Sequence, residues 1–162
     1  MTGTCNRLIV AVVAGGLALG LAAQAGAASA PRGCTGPASK TWLRLSIEQV
    51  RSSKGLITLT LYPDDSAKFL APKGSLYVTR VKALAGVTGA CIYLPGPGAY
   101  ALAFYHDENG NGKVDRNAIG IPQEGFGFSN NPSILMSAPS FKSVRFSVTA
   151  AGSSSRIRMK YP

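Results

Sequence analysis

From Trp42 onward, apolar and polar residues alternate with a period of two, the spacing of strands that bury one face. Leu43, Leu45 and Ile47 alternate with Arg44, Ser46 and Glu48, and after the Ser52-Ser53-Lys54-Gly55 turn, Ile57, Leu59 and Leu61 alternate with Thr58, Thr60 and Tyr62. Pro63-Asp64-Asp65 ends this second strand, Ser66 to Leu70 reads as a short helical turn, and Leu76 to Ala83 reads as a third strand with mixed faces. Cys91–Leu94 and Ala99–His106 flank Pro95-Gly96-Pro97-Gly98, whose fixed and permissive φ values predict a hairpin. In the second of these strands Tyr100, Leu102 and Phe104 share a face, while Ala99, Ala101 and Ala103 on the other invite close approach by another segment. Val144, Phe146 and Val148 form a sixth strand; Ile157, Met159 and Tyr161 form a seventh after the Gly152-Ser153-Ser154-Ser155 turn. About seven short strands joined by turn signals, with no long helix, predict an all-β, antiparallel two-sheet sandwich of immunoglobulin-like or transthyretin-like topology. The stretch between Asp107 and Ser140 is too long for an ordinary hairpin connection and is expected to be one inserted, functional loop.

Upstream of the strands the pattern changes. Arg7 precedes an uncharged run from Leu8 to Ala30 that is rich in Leu, Val, Ala and Gly and ends in small residues, the signature of a secretory signal peptide. Residues 1–30 are therefore read as a signal peptide, cleaved between positions 25 and 30, 31–40 as a flexible leader and 41–162 as the β-sandwich domain. The mature protein is expected in the periplasm or secreted, with no integral membrane segment after cleavage. Export alters the meaning of the cysteines: Cys5 leaves with the signal, and Cys34 and Cys91 meet in an oxidising compartment, where a disulfide is the leading reading. Such a bridge would tie the leader to the strand around Ile92.

Composition fits a chain that buries a core, with 46% hydrophobic and 15% charged residues over 162 positions. A formal net charge of +10 raises the question of a polyanionic partner. The seventeen Lys and Arg are scattered without a run of adjacent bases, which reads as solvated surface, and nucleic acid is not expected as a partner.

The polar chemistry is concentrated in the central stretch, which holds the single histidine, His106, and four of the seven acidic residues, Asp107, Glu108, Asp115 and Glu124. Asp107, Asn109, Asn111 and Asp115, with Gly112 at the turn, follow a D-x-N-x-N-G-x-x-D spacing that resembles a calcium loop. Ligand positions one, three, five, seven and nine fall on Asp107, Asn109, Asn111, the backbone carbonyl of Lys113, and Asp115. Position twelve, where a bidentate carboxylate belongs, is Ala118, so Glu124 is the nearest candidate to complete the shell. Hard oxygen donors favour calcium over zinc. Asn and Asp followed by Gly also form metal-free turns, the competing reading.

The run from Tyr100 through Phe141, including His106-Asp107, Asn109, Asn111-Gly112, Asp115, Asn117, Gly120, Pro122, Glu124, Gly127 and Ser129-Asn130-Asn131, resembles the uncharacterised bacterial family catalogued as domain of unknown function 2141. The resemblance implies an exported β-sandwich and no assigned activity. The Pro95-Gly96-Pro97-Gly98 connection departs from the family's usual shorter turn.

Catalytic readings are weaker. His106 and Asp107 are neighbours on a strand and face opposite sides. Ser129, with His106 and Glu124, would make a triad without the surroundings of a nucleophile elbow. His106, Ser129, Asn130 and Asn131 are instead grouped as a surface site. The sequence thus predicts a noncatalytic, calcium-ordered module of the cell envelope whose partner is an envelope component or glycan. The rival is a glycan-acting hydrolase using carboxylates of the 107–124 loop.

Overall fold

The computed structural model describes residues 30–134, 137–150 and 152–162. The segment expected to be a signal peptide, with its cleavage region and Cys5, lies outside the described residues, save Ala30. Among the described residues no helix is long and apolar enough to cross a membrane.

Among the described residues eight strands and one helical turn follow in order: β1 (Thr41–Val50), β2 (Leu56–Pro63), β3 (Tyr77–Lys82), β4 (Gly86–Leu94), β5 (Gly98–Asp107), β6 (Phe126–Phe128), α1 (Phe141–Val144), β7 (Phe146–Val148) and β8 (Ser153–Arg158). They form two packed sheets, as the alternating pattern predicts. One has the order β4-β1-β8; the other has the order β3-β2-β5-β6, with β7 also paired to β5. Every strand pairing is antiparallel but one, since β8 runs parallel to β1, with Leu45 beside Ser155 and Ile47 beside Ile157. No tight turn constrains that pair: β1 and β8 lie at opposite ends of the domain, and the intervening chain supplies the long crossover that a parallel pair requires.

The core fills the space between the sheets. Leu43, Leu45 and Ile47 from β1 meet Ile57, Leu59 and Leu61 from β2, together with Ile92, Leu94, Tyr100, Leu102, Phe104 and Ile157. All are buried because the period-two pattern sends them to the same side of their strands. Glu48 and Val50 are out of register against β4, and the bulge is taken up by Gln49 at φ 63°.

Several sequence expectations need correction: Ser153–Ser155, expected in a turn, open β8, and Val144, expected in a strand, ends α1. The Pro95–Gly98 turn does not close a hairpin: β4 pairs with β1 and β5 pairs with β2, so the turn carries the chain from one sheet to the other. Leu94 and Tyr100 both point into the core, which an arch permits. The Tyr100 hydroxyl pins the arch by donating to the Gly96 carbonyl at 2.8 Å. Nor is the 107–140 stretch a single loop, for it contains β6, whose Phe126 and Phe128 stand opposite Tyr105 and Ala103. The small face of β5 is covered as its alanines suggest: Ala101 and Ala103 pack with Tyr62, Phe69, Phe126, Phe128, Val144 and Phe141 in a second apolar cluster. Between the phenylalanines, Gly127 lies so close to Phe104 that a Cβ would meet its ring at 2.4 Å.

The leader is fastened rather than free. Cys34 and Cys91 are joined by the expected disulfide, with Cα atoms 4.3 Å apart. Beside it, Thr35 donates its N–H to the Cys91 carbonyl and accepts that of Tyr93, both at 2.9 Å, so a single residue covers part of the open edge of β4.

Candidate functional site

The chain leaves β5 at Asp107, and the side-chain oxygens that follow are gathered by backbone hydrogen bonds. Asp107 is buried; its Oδ1 accepts the N–H of Asn111 at 3.0 Å and its Oδ2 that of Gly112 at 2.8 Å. Asn109 Oδ1 also accepts the Asn111 N–H at 3.0 Å, and Asn111 Oδ1 accepts the Lys113 N–H at 2.8 Å. The Asn109 and Asn111 bonds are successive Asx turns, in which a short side chain reaches a backbone donor two residues on, while Asp107 reaches donors four and five residues on. Gly112, at φ 75°, takes the left-handed conformation that lets the chain curl around them.

Asp115 closes the ring. Its Oδ2 accepts Asn109 Nδ2 at 2.6 Å and its Oδ1 accepts Asn111 Nδ2 at 2.8 Å. Glu124, also buried, lies beneath: Oε1 accepts the N–H of Glu108 and Oε2 that of Asp115, each at 3.1 Å. A single carboxylate thus binds the two ends of the loop. Among the described residues no three His, Cys, Asp or Glu side chains converge as a metal-holding group; the cluster combines two carboxylates, Asp107 and Asp115, with two amides.

Beyond it, residues 116–122 form a smaller turn. Asn117 Oδ1 accepts the N–H groups of Ile119 at 3.1 Å and Ile121 at 2.9 Å. The loop is anchored to the β1–β2 turn through Glu108, which accepts Arg51 Nε at 3.0 and 3.1 Å and the Ser52 hydroxyl at 2.8 Å. The Arg51 guanidinium hydrogen-bonded to it, supported by Ser52, holds the Glu108 carboxyl down at about 2. Arg51 and Ser52 are missed by sequence reasoning because nothing local marks a pairing across more than fifty residues.

The remaining sequence-predicted residues belong to the framework. His106 is fully buried, with Nε2 2.7 Å from the Lys54 carbonyl and Nδ1 2.7 Å from the Tyr161 hydroxyl. A carbonyl only accepts, so Nε2 donates to Lys54, and Nδ1 of the neutral ring accepts from Tyr161. Ser129 is buried as well; its Oγ accepts the Leu102 N–H at 3.0 Å and donates to the Val144 carbonyl. The expected surface site is corrected at these two residues, which lie in the interior. Asn130 is exposed and Nδ2 donates to the Arg145 carbonyl at 2.8 Å. Asn131 borders β8, where its amide accepts from the Arg158 N–H at 2.7 Å and donates to the Arg156 carbonyl at 3.1 Å, as a neighbouring peptide would. Ser129-Asn130-Asn131 therefore joins β5, the α1 region and β8. The hydrogen bonds of His106, Ser129 and Glu124 go to separate partners and form no triad.

Residues 45–156 match the family described as "Uncharacterized protein conserved in bacteria (DUF2141)". The chain belongs to that family. The matched span begins in β1 and ends in β8, so the DUF2141 region takes in both sheets, the polar loop and the Ser129-Asn130-Asn131 joint. No curated protein and no solved structure matches the chain.

Proposed function

We propose that this DUF2141 protein is an exported, noncatalytic β-sandwich module of the cell envelope, in which a calcium ion orders the loop from Asp107 to Glu124 and an envelope component or glycan is the partner. The observation that carries this reading is the gathering of Asp107, Asn109 and Asn111 by Asx turns and by backbone bonds to Asp107, with Asp115 drawn in by the side-chain amides of Asn109 and Asn111. Their hard oxygen donors suit calcium. Asp107, Asn109, Asn111, the Lys113 carbonyl and Asp115 would hold the ion. Glu124, the expected sixth ligand, accepts two backbone N–H groups, just as Asp107 does; it holds the two ends of the loop together and, with water, would complete the shell. The ion would cross-link a segment otherwise stabilised by amide and carboxylate bonds alone.

The noncatalytic assignment is supported by the partners of His106 and Ser129: both ring nitrogens and the hydroxyl are committed inside the fold. Isothermal titration of chelator-treated protein with calcium tests the reading. Binding of one ion with a Kd on the order of 10⁻⁴ to 10⁻³ M, the range of extracellular modules, is the expected result. No heat of binding at millimolar calcium, together with unchanged amide resonances for residues 107–124, would refute it.

A further inference from the structure

The outer face of the β4-β1-β8 sheet carries a row of arginines that the pattern of the strands treats unequally. In the parallel β1–β8 register Arg44 stands beside Ser154, Ser46 beside Arg156 and Glu48 beside Arg158. Arg158 has an acidic neighbour, with Nε 3.5 Å from Glu48. Arg44 and Arg156 have serines instead, and among the described residues neither guanidinium joins an ion pair. Both are exposed. Between them lies a groove of about 360 Å³ lined by Arg44, Ser46, Ser154, Ser155 and Arg156. On the other side of β1 a second groove, of about 370 Å³, shares Arg44 and Ser46 and adds Arg32, Gly89 and the disulfide-bonded Cys91. The disulfide and the Thr35 bridge hold the leader, and with it Arg32, beside β4.

We propose that this face is a binding site for a phosphorylated glycan. Guanidinium groups pair with phosphate through two parallel N–H···O bonds, and the serine hydroxyls both donate and accept, which matches the alternation of phosphate and hydroxyl on a sugar phosphate. Two neighbouring cations without an acid between them repel each other, and a dianionic group placed between Arg44 and Arg156 relieves that repulsion. The lining of the groove between Arg44 and Arg156 is arginine and serine alone, and the exposed Val87 on the same face, opposite Glu48, lies outside it; a bilayer-docking groove would set apolar side chains among its bases. This site is on the sheet opposite the Asp107 loop and requires no cation.

The test is a titration of the full mature chain, in chelator, with glucose 6-phosphate, glucose and inorganic phosphate, followed by ¹⁵N–¹H correlation spectra. The expected result is saturable shifts at Arg44, Ser46, Ser154 and Arg156 with glucose 6-phosphate, weaker shifts at the same residues with phosphate and none with glucose. The Arg44→Gln/Arg156→Gln double variant should lose about tenfold or more in affinity, as for removal of a charge-assisted bond, with its melting temperature unchanged. Arg158→Gln, whose partner is Glu48, should bind as wild type does. Equal binding by wild type and the double variant overturns the proposal. So does binding to vesicles of phosphatidylglycerol without binding to glucose 6-phosphate, which would assign the face to a lipid surface.

Discussion

The hydroxyl of Tyr161 is 2.7 Å from Nδ1 of His106, and the same oxygen accepts the backbone N–H of Arg51 at 3.0 Å. Three distant parts of the chain, the β1–β2 turn, β5 and the residues after β8, thus converge on one phenol. Arg51 also lies over the ring, its guanidinium carbon 4.5 Å from the centroid. Tyr161→Phe keeps the ring and removes the oxygen, which leaves a fully buried imidazole nitrogen without its donor. The expected loss is about 1 to 3 kcal/mol, the desolvation cost of an unsatisfied buried polar group. Urea denaturation should show a lower midpoint at an unchanged m-value; an unchanged midpoint would mean that water replaces the phenol.

The strands were legible because burial of one face imposes a period of two, and the residues that obey it, such as Leu43, Leu45 and Ile47, are those in the core. Which strands pair was not legible. Cys91–Leu94 and Ala99–His106 look like hairpin partners locally, yet the decision between hairpin and arch rests on how Leu94 and Tyr100 face each other across the core. β6 escaped notice for a related reason: Phe126-Gly127-Phe128 is only three residues long, and its glycine is explained by the Phe104 ring on another strand. At the loop, Asp107, Asn109, Asn111 and Asp115 could be grouped from spacing alone, since Asx turns are local. Glu124 could be named but not its role, because its bonds to Glu108 and Asp115 depend on where the chain returns. Ser129 carried no sign of burial, since serine is mostly an exposed type, whereas His106 continues the alternation of Tyr100, Leu102 and Phe104 and so falls on the core face.

Removal of the Cys34–Cys91 disulfide should destabilise the domain without unmaking the sandwich. The bridge spans a sequence separation of 57, which in the chain-entropy model corresponds to about 4 kcal/mol. The Cys34→Ser/Cys91→Ser variant should retain the β-type circular dichroism of the wild type and unfold at a lower denaturant concentration. Amide exchange should rise first at Thr35 and Tyr93, whose bonds sit beside the bridge. Equal stability of oxidised and reduced wild-type protein would contradict this assignment.

Acid should weaken the attachment of the loop to the β1–β2 turn in a defined window. The Glu108 carboxyl falls from an ordinary value of 4.5 to about 2 through its hydrogen bond to Arg51. A depressed carboxyl contributes stability that is complete above its unfolded value and lost as pH falls through the folded one. The Arg51–Glu108 contribution should therefore be constant above about pH 5 and decline between 4.5 and about 2. The pair is partly exposed, with 20% of the Glu108 side-chain surface open to solvent, so screening limits its worth to about 1 kcal/mol. Glu108→Gln should remove that part of the pH dependence while leaving the neutral-pH fold intact. A variant whose stability falls with acid as steeply as that of the wild type would assign the dependence to other carboxylates.

Asp107 is the residue on which the loop depends both with and without an ion. Its two oxygens accept the N–H groups of Asn111 and Gly112 from a buried position, so in chelator Asp107→Ala should cost about 2 to 3 kcal/mol, as for loss of a charged hydrogen-bonding group. The calcium contribution is separate. At ten times its Kd an ion that binds only the folded state adds about 1.4 kcal/mol, which for a domain of this size raises the melting temperature by roughly 3 to 6 °C. Wild type should show this rise between chelator and millimolar calcium, and Asp107→Ala should show none. Asn109→Ala distinguishes the two roles: it removes an oxygen proposed as a ligand but leaves both Asp107 bonds in place, so it should melt close to wild type in chelator and gain less from calcium. Coincident melting curves for wild type in chelator and calcium, combined with a destabilised Asp107→Ala, would make the loop a metal-free turn held by its own hydrogen bonds.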